Sequence, residues 1–158
     1  MTSRARTTPV TLTFLTCGGL LLLQRRPLGS DRFAGLWNGV GGHVEPGEHA
    51  REGALREIRE ETGLAPKDLE LRAVIHETGL LGRSHLLFVF TGEADSSEHV
   101  PKSPAGECRW YERGALPLDS LVPDLPVLLP AVLDPSAGVA FGVQHFDGGD
   151  RALALRID

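Results

Sequence analysis

Two helical stretches set among about seven strands predict a layered sandwich of the α/β or α+β class. Three observations carry that expectation. Val10, Leu12 and Phe14 alternate with Thr11 and Thr13, the period of a strand with one buried face. His49 to Thr62 is rich in Ala, Leu, Glu and Arg, with Ala50, Ala54 and Ile58 at i, i+4 and i+8, the period of a helix. The chain has 158 residues, 41% of them hydrophobic and 23% charged, so one domain spanning 1–158 is large enough to bury a core without staples.

In chain order, Val10 to Thr16 and Leu20 to Arg25 read as a hairpin around Cys17-Gly18-Gly19. Pro27 to Gly35 is a polar loop. Leu36 to Val44 carries Gly39, Gly41 and Gly42, which suggests that something approaches the backbone closely there. Pro46-Gly47 is a turn, and the helix that follows ends where Gly63 supplies a C-terminal cap. Leu69 to Glu77 and His85 to Glu93 read as strands joined by a Gly79 to Ser84 turn, with a short strand at Cys108 to Glu112 after a Pro/Ser/Gly loop. A second helix is expected over Asp124 to Leu133, shortened or kinked by Pro130. Val139 to Phe146 and Ala152 to Ile157 close the chain as a hairpin around Asp147 to Asp150.

Composition excludes several classes. The net charge of −5 argues against a partner that is a nucleic acid polymer held by a broad basic surface. A polyphosphate ligand would instead need a cation between itself and the protein. The apolar stretch Val10 to Leu23 is interrupted and shorter than the ~20 residues of a spanning helix, so no membrane partner is expected. Arg4 and Arg6 precede it in the manner of a secretory signal, but its alternation is that of a strand. Cys17 and Cys108 lie far apart with no CxxC, which fits two buried thiols in a reducing cytoplasm. No feature sets an oligomeric state.

On the first helix Glu57, Glu60 and Glu61 fall within an arc of roughly 100°, bordering the Ala54/Ile58 ridge. Taken alone, the stripe has two readings. It is a solvated face laced by the i, i+4 pairs Glu52–Arg56 and Arg56–Glu60, or a set of hard oxygen ligands whose mutual repulsion a divalent cation relieves. The surrounding run GHVEPGEHAREGALREIREETGL, residues 42–64, decides for the second. It resembles the Nudix box, GX5EX7REUXEEXGU with U a bulky aliphatic, and fills every specified position, a coincidence with chance probability on the order of 10⁻⁸.

The resemblance implies an α/β/α sandwich with a mixed β-sheet and a Mg²⁺- or Mn²⁺-dependent hydrolase of phosphoanhydride bonds in nucleotides. It implies Glu57, Glu60 and Glu61 as metal ligands with the Gly42 carbonyl, Glu48 as a ligand directly or through water, and Arg56 as the group that orients the carboxylates. Leu36 to Gly42 and the tail further resemble the branch that destroys oxidised purine nucleoside triphosphates. There Asn38 and Asp124 would read the base edge, with Trp37 or Phe33 near its face. The alternative is that Asn38 serves a bulge and Asp124 caps a helix. The loop Lys102 to Trp110 departs from the family, with Pro104 and Ala105 where an acid is often found. The general base therefore stays open among Glu107, Glu60 and the other box carboxylates. His43 and His85 are candidate phosphate contacts or structural histidines.

The reaction expected is release of a nucleoside monophosphate and pyrophosphate from a modified or surplus purine triphosphate. The rival readings are hydrolysis of a dinucleoside polyphosphate or nucleotide sugar, and a non-catalytic nucleotide sensor on the same fold.

Overall fold

The computed structural model describes residues 4–158. Strands β1 (Thr7–Cys17), β2 (Leu20–Arg25), β3 (Trp37–Asn38) and β4 (Val40–His43) precede helix α1 (Ala50–Thr62). Then come β5 (Lys67–Leu80), β6 (Arg83–Glu93), β7 (Glu107–Glu112), two 3₁₀ turns, α2 (Leu125–Leu133), and the closing pair β8 (Ala140–Phe146) and β9 (Ala152–Ile157). The strands form one mixed, nine-stranded sheet among the described residues, in the order β3-β2-β1-β6-β5-β8-β9, with β4 on β1 and β7 on β2. β1 runs parallel to β6 and β5 parallel to β8; the other pairs are antiparallel.

Each face of the sheet carries one helix. Val10, Leu12, Phe14, Leu21 and Leu23 bury against α2 through Leu125, Leu128, Leu129 and Val132. Leu15, Leu22, Val40 and Phe90 bury against α1 through Ala54 and Ile58. The successive leucines of β2 thus serve opposite faces, as the strand period requires. β1 differs from the expectation of one wet face. Thr11 and Thr13 are buried as well, because α1 covers the side that alternation alone assigned to water.

The expected β1–β2 hairpin shrinks to two residue pairs, Thr16 with Leu21 and Cys17 with Leu20. Beyond them β2 leaves to pair with β3 and β7, and β4 takes its place against Val10 to Thr13. The sheet therefore splits along one edge of β1, and the functional site sits in that split. The β5–β6 turn is tighter than expected. It closes at Leu81-Gly82, both at positive φ, while Gly79 stays in β5 at a bulge. α2 continues through Pro130 to Leu133, so that proline does not end it. Cys108 is buried as expected and Cys17 only partly; both thiols are free.

Candidate active site

α1 starts and stops on local signals. His49 is the N-cap, its side chain accepting from the Glu52 amide while Glu52 reaches back to the His49 amide. Gly63 ends the helix at φ 72°, its amide donating to the Arg59 carbonyl. Between these caps, burial of Ala54 and Ile58 fixes the helix's rotation and sets Glu57 against Gly42 of β4. A Cβ at Gly42 would lie 2.5 Å from Glu57 Oε1, so the glycine leaves room for that carboxylate to approach β4.

Arg56 organises the acids. Its Nε and one terminal nitrogen donate to both oxygens of Glu48, at 3.1 and 2.7 Å. The other terminal nitrogen donates to Glu57 at 2.9 Å and Glu60 at 3.3 Å, and a further bond reaches the His43 carbonyl at 3.0 Å. The bidentate pair holds the Glu48 carboxyl below its ordinary range. Glu61 lies deeper. Burial and the neighbouring Glu57 charge push it up to about 8, and its Oε2 is buried with no hydrogen-bond partner. No group of three acidic, His or Cys side chains among the described residues stands in a preformed metal geometry. The donor set still fits a hard cation. The oxygens are carboxylate, one is an orphaned buried acceptor, and the Gly42 position leaves the Glu57 carboxylate uncovered.

A cavity opens on the α2 face of the split, lined by Phe33, Asn38, Glu77 and Asp124, by Gln24, Arg26 and Arg32, and by Gly41 and Gly42. The same glycine that meets Glu57 thus borders this cavity. Asn38 and Asp124, far apart in sequence, come together because the Val122 amide donates to the Trp37 carbonyl at 2.9 Å, docking the approach to α2 against β3. Asp124 is not a helix cap. It stands at the N-cap position, makes no capping bond, and is 7% exposed. Asn38 Oδ1 accepts from the Gly39 amide at 2.8 Å, where β3 breaks before β4.

Other expected residues lie elsewhere. Trp37 does not line the cavity; it is buried in the core, edge-on to Tyr111 at 5.2 Å, with the Arg109 guanidinium 5.4 Å from its ring centre. Phe33 serves both, lining the cavity and packing on Phe146 at 5.8 Å. Glu107 opens β7 opposite Arg25 and pairs with Arg109 at 2.7 Å, outside the cavity lining. His43 is exposed, whereas His85 is buried beside Glu77.

Glu77, Arg26, Arg32 and Gln24 were not among the residues singled out from sequence. For Glu77 a signal existed: Ala73, Ile75 and Glu77 share one face of β5, and a charge in an apolar row is anomalous.

The NUDIX domain model matches residues 6–132. This chain belongs to the Nudix family. It is 34% identical over 125 residues to an oxidized purine nucleoside triphosphate hydrolase of Mus musculus, covering 72% of this chain and 70% of that one. The counterpart from Danio rerio is 28% identical across 94% of this chain and 93% of its own. Among solved structures, the MutT protein of Bacillus halodurans superposes with a TM-score of 0.77 at 24% identity, over 96% and 97% of the two chains. This Nudix protein is accordingly a MutT-like hydrolase of phosphoanhydride bonds, acting on nucleoside phosphates. Nudix hydrolases generally use divalent metal ions. No helix among the described residues is long and apolar enough to cross a membrane.

Proposed function

We propose that this Nudix hydrolase converts a purine nucleoside triphosphate, modified or surplus, into its monophosphate and pyrophosphate, with Mg²⁺ or Mn²⁺ as the cation. One observation carries the reading: the cavity lined by Asn38, Asp124 and Phe33 reaches Gly42, whose Cβ position faces the Glu57 carboxylate of α1. Two hydrogen-bonding groups and an aromatic ring suit a base, and the carboxylates beyond the glycine suit the polyphosphate and its counter-ions.

Glu57, Glu60, Glu61 and the Gly42 carbonyl would hold the cation, with Glu48 supporting it directly or through water. A bound divalent cation supplies charge neutralisation along the polyphosphate and polarises the attacking water. Arg56 keeps Glu48 and Glu57 in place through its forked bonds. The new P–O bond forms as the bridging P–O bond breaks, and the water proton passes to a carboxylate. Glu60 is the most open of the three stripe acids for that role, with a side chain 60% exposed. The reading carries a cytoplasmic location, supported by two thiols that stand unpaired.

Pyrophosphate release from a panel of purine and pyrimidine triphosphates, ADP-ribose, a sugar nucleotide and a dinucleoside polyphosphate, with Mg²⁺, tests the proposal. Purine triphosphates should lead. Asn38→Ala and Asp124→Ala should each lower kcat/KM for an oxidised purine triphosphate at least ~10-fold and affect a pyrimidine triphosphate less. Preference for a sugar nucleotide or dinucleoside polyphosphate would replace the substrate and leave the chemistry.

A further inference from the structure

Glu77 belongs to a row that should be apolar. It is 8% exposed, Asp124 is 7% exposed, and both line the cavity. Nothing in the fold accounts for either acid. Asp124 makes no capping bond. Among the described residues Glu77 has one ion-pair contact, His85 Nδ1 at 3.9 Å, which is beyond hydrogen-bond range, and that buried Nδ1 has no partner of its own. Two carboxyls set close to an apolar core on one cavity are costly to desolvate, and a ligand whose polar edge meets both offsets that cost.

The geometry points to Glu77 as a specificity-determining residue of the base cavity. Acting with Asp124, it receives a ring edge that offers an acceptor beside two adjacent N–H donors, the edge of a guanine-type purine. This rests on the nucleotide reading above and names the base within it. Charged groups reach the pair from every side. Burial and the Asp124 charge raise Glu77 to about 7, while Arg32 from the loop before β3 opposes the rise. Burial alone raises Asp124 to about 6. Burial, Arg32, His43 and Arg83 hold His85 down, which leaves it neutral. Two acids buried on one cavity resist ionising together, and burial with the Asp124 charge favours keeping the proton on Glu77. A protonated Glu77 donates to the base carbonyl, and an ionised Asp124 accepts from the ring N–H and the amino group together. An adenine edge presents one donor and one acceptor, so it leaves a carboxylate lone pair unused.

The test is a calorimetric titration of the full chain with GMP and with AMP in EDTA, which reads base recognition without turnover. Wild type should bind GMP at least ~10-fold more tightly than AMP. Glu77→Gln, whose amide still donates, should keep that preference, and Glu77→Met should lose it. Equal affinities in wild type, or a preference that survives in Glu77→Met, would overturn the assignment. If Glu77→Met does not fold, pH supplies the second readout. Wild-type affinity for GMP should fall as pH rises through about 7 and the donor proton is lost, while that of Glu77→Gln stays level. A level wild-type profile would also overturn it. A panel that releases no pyrophosphate from any triphosphate removes the reaction proposed above, whereas equal wild-type affinities for GMP and AMP, or a preference that survives in Glu77→Met, remove the Glu77 assignment alone.

Discussion

Arg56 touches four groups, and that concentration shows which carboxylates are held and which remain available. Glu48 and Glu57 are fixed by short bonds, while Glu60 receives a longer one at 3.3 Å and stays open to solvent. Removing the Glu60 charge should therefore cost activity and leave the fold intact, because the stripe of like charges is relieved. Glu60→Gln is expected to lower turnover about a thousandfold or more, measured as pyrophosphate release in saturating Mg²⁺. Glu107 is tied to Arg109 and stands off the cavity, so Glu107→Gln should lose less than ~100-fold. A near-normal Glu60→Gln sinks the metal assignment, and a larger loss at Glu107 with unchanged metal affinity makes Glu107 the base.

Glu77 gives a second prediction at this scale. Its folded pKa of about 7 stands above the ordinary glutamate value of 4.5. Between those values the folded protein keeps a proton that the unfolded chain has released, so stability falls as pH rises and the loss is complete above pH 7. The difference corresponds to about 3 kcal/mol. Asp124, raised from 3.8 to about 6, acts in the same direction over a lower window. Glu77→Gln removes the Glu77 part, and its Tm advantage over wild type should be several degrees larger at pH 8 than at pH 5. Equal advantages at both pH values would show that Glu77 titrates normally.

At the scale of elements, α1 is a helix whose ends are written locally and whose rotation is set by packing. The reciprocal His49/Glu52 bonds open it, and Gly63 at φ 72° closes it. Gly63→Ala places a Cβ in the left-handed region with no steric contact to blame, since the space around Gly63 is open. The expected loss is about 1 kcal/mol of stability, a Tm drop of a few degrees. Activity per folded molecule should not change, because the bonds from Arg56 hold Glu57 and Glu60 independently of the C-cap. A drop in kcat at full folding would show that the last turn also positions Glu61.

At the scale of the molecule, the cavity is closed by distant segments. The Phe33 amide donates to Asp150 Oδ2 at 2.9 Å, and the Phe33 ring leans on Phe146, so the closing β8–β9 hairpin holds the loop before β3. Asp150→Ala should free that loop. KM for a purine triphosphate should rise several-fold with kcat little changed, and hydrogen exchange at the Phe33 amide should accelerate. Unchanged exchange would mean that ring packing alone holds the loop.

The carboxylate stripe and its Gly63 cap were legible along the chain, because α1 is stabilised by bonds between residues at most four apart and its box has fixed spacing. Trp37, by contrast, reads as a base-stacking ring in sequence and is core in the structure, since only the fold brings Tyr111 and Arg109 onto it. The exposed-looking threonines of β1 are buried because α1 returns over them. Asn38, Glu77 and Asp124 meet only where β2 and β4 part along β1 and the Val122–Trp37 bond draws in the start of α2. Spacing along a helix is local and survives in the sequence; the base cavity is made of contacts between segments tens of residues apart, and a sheet register decides them.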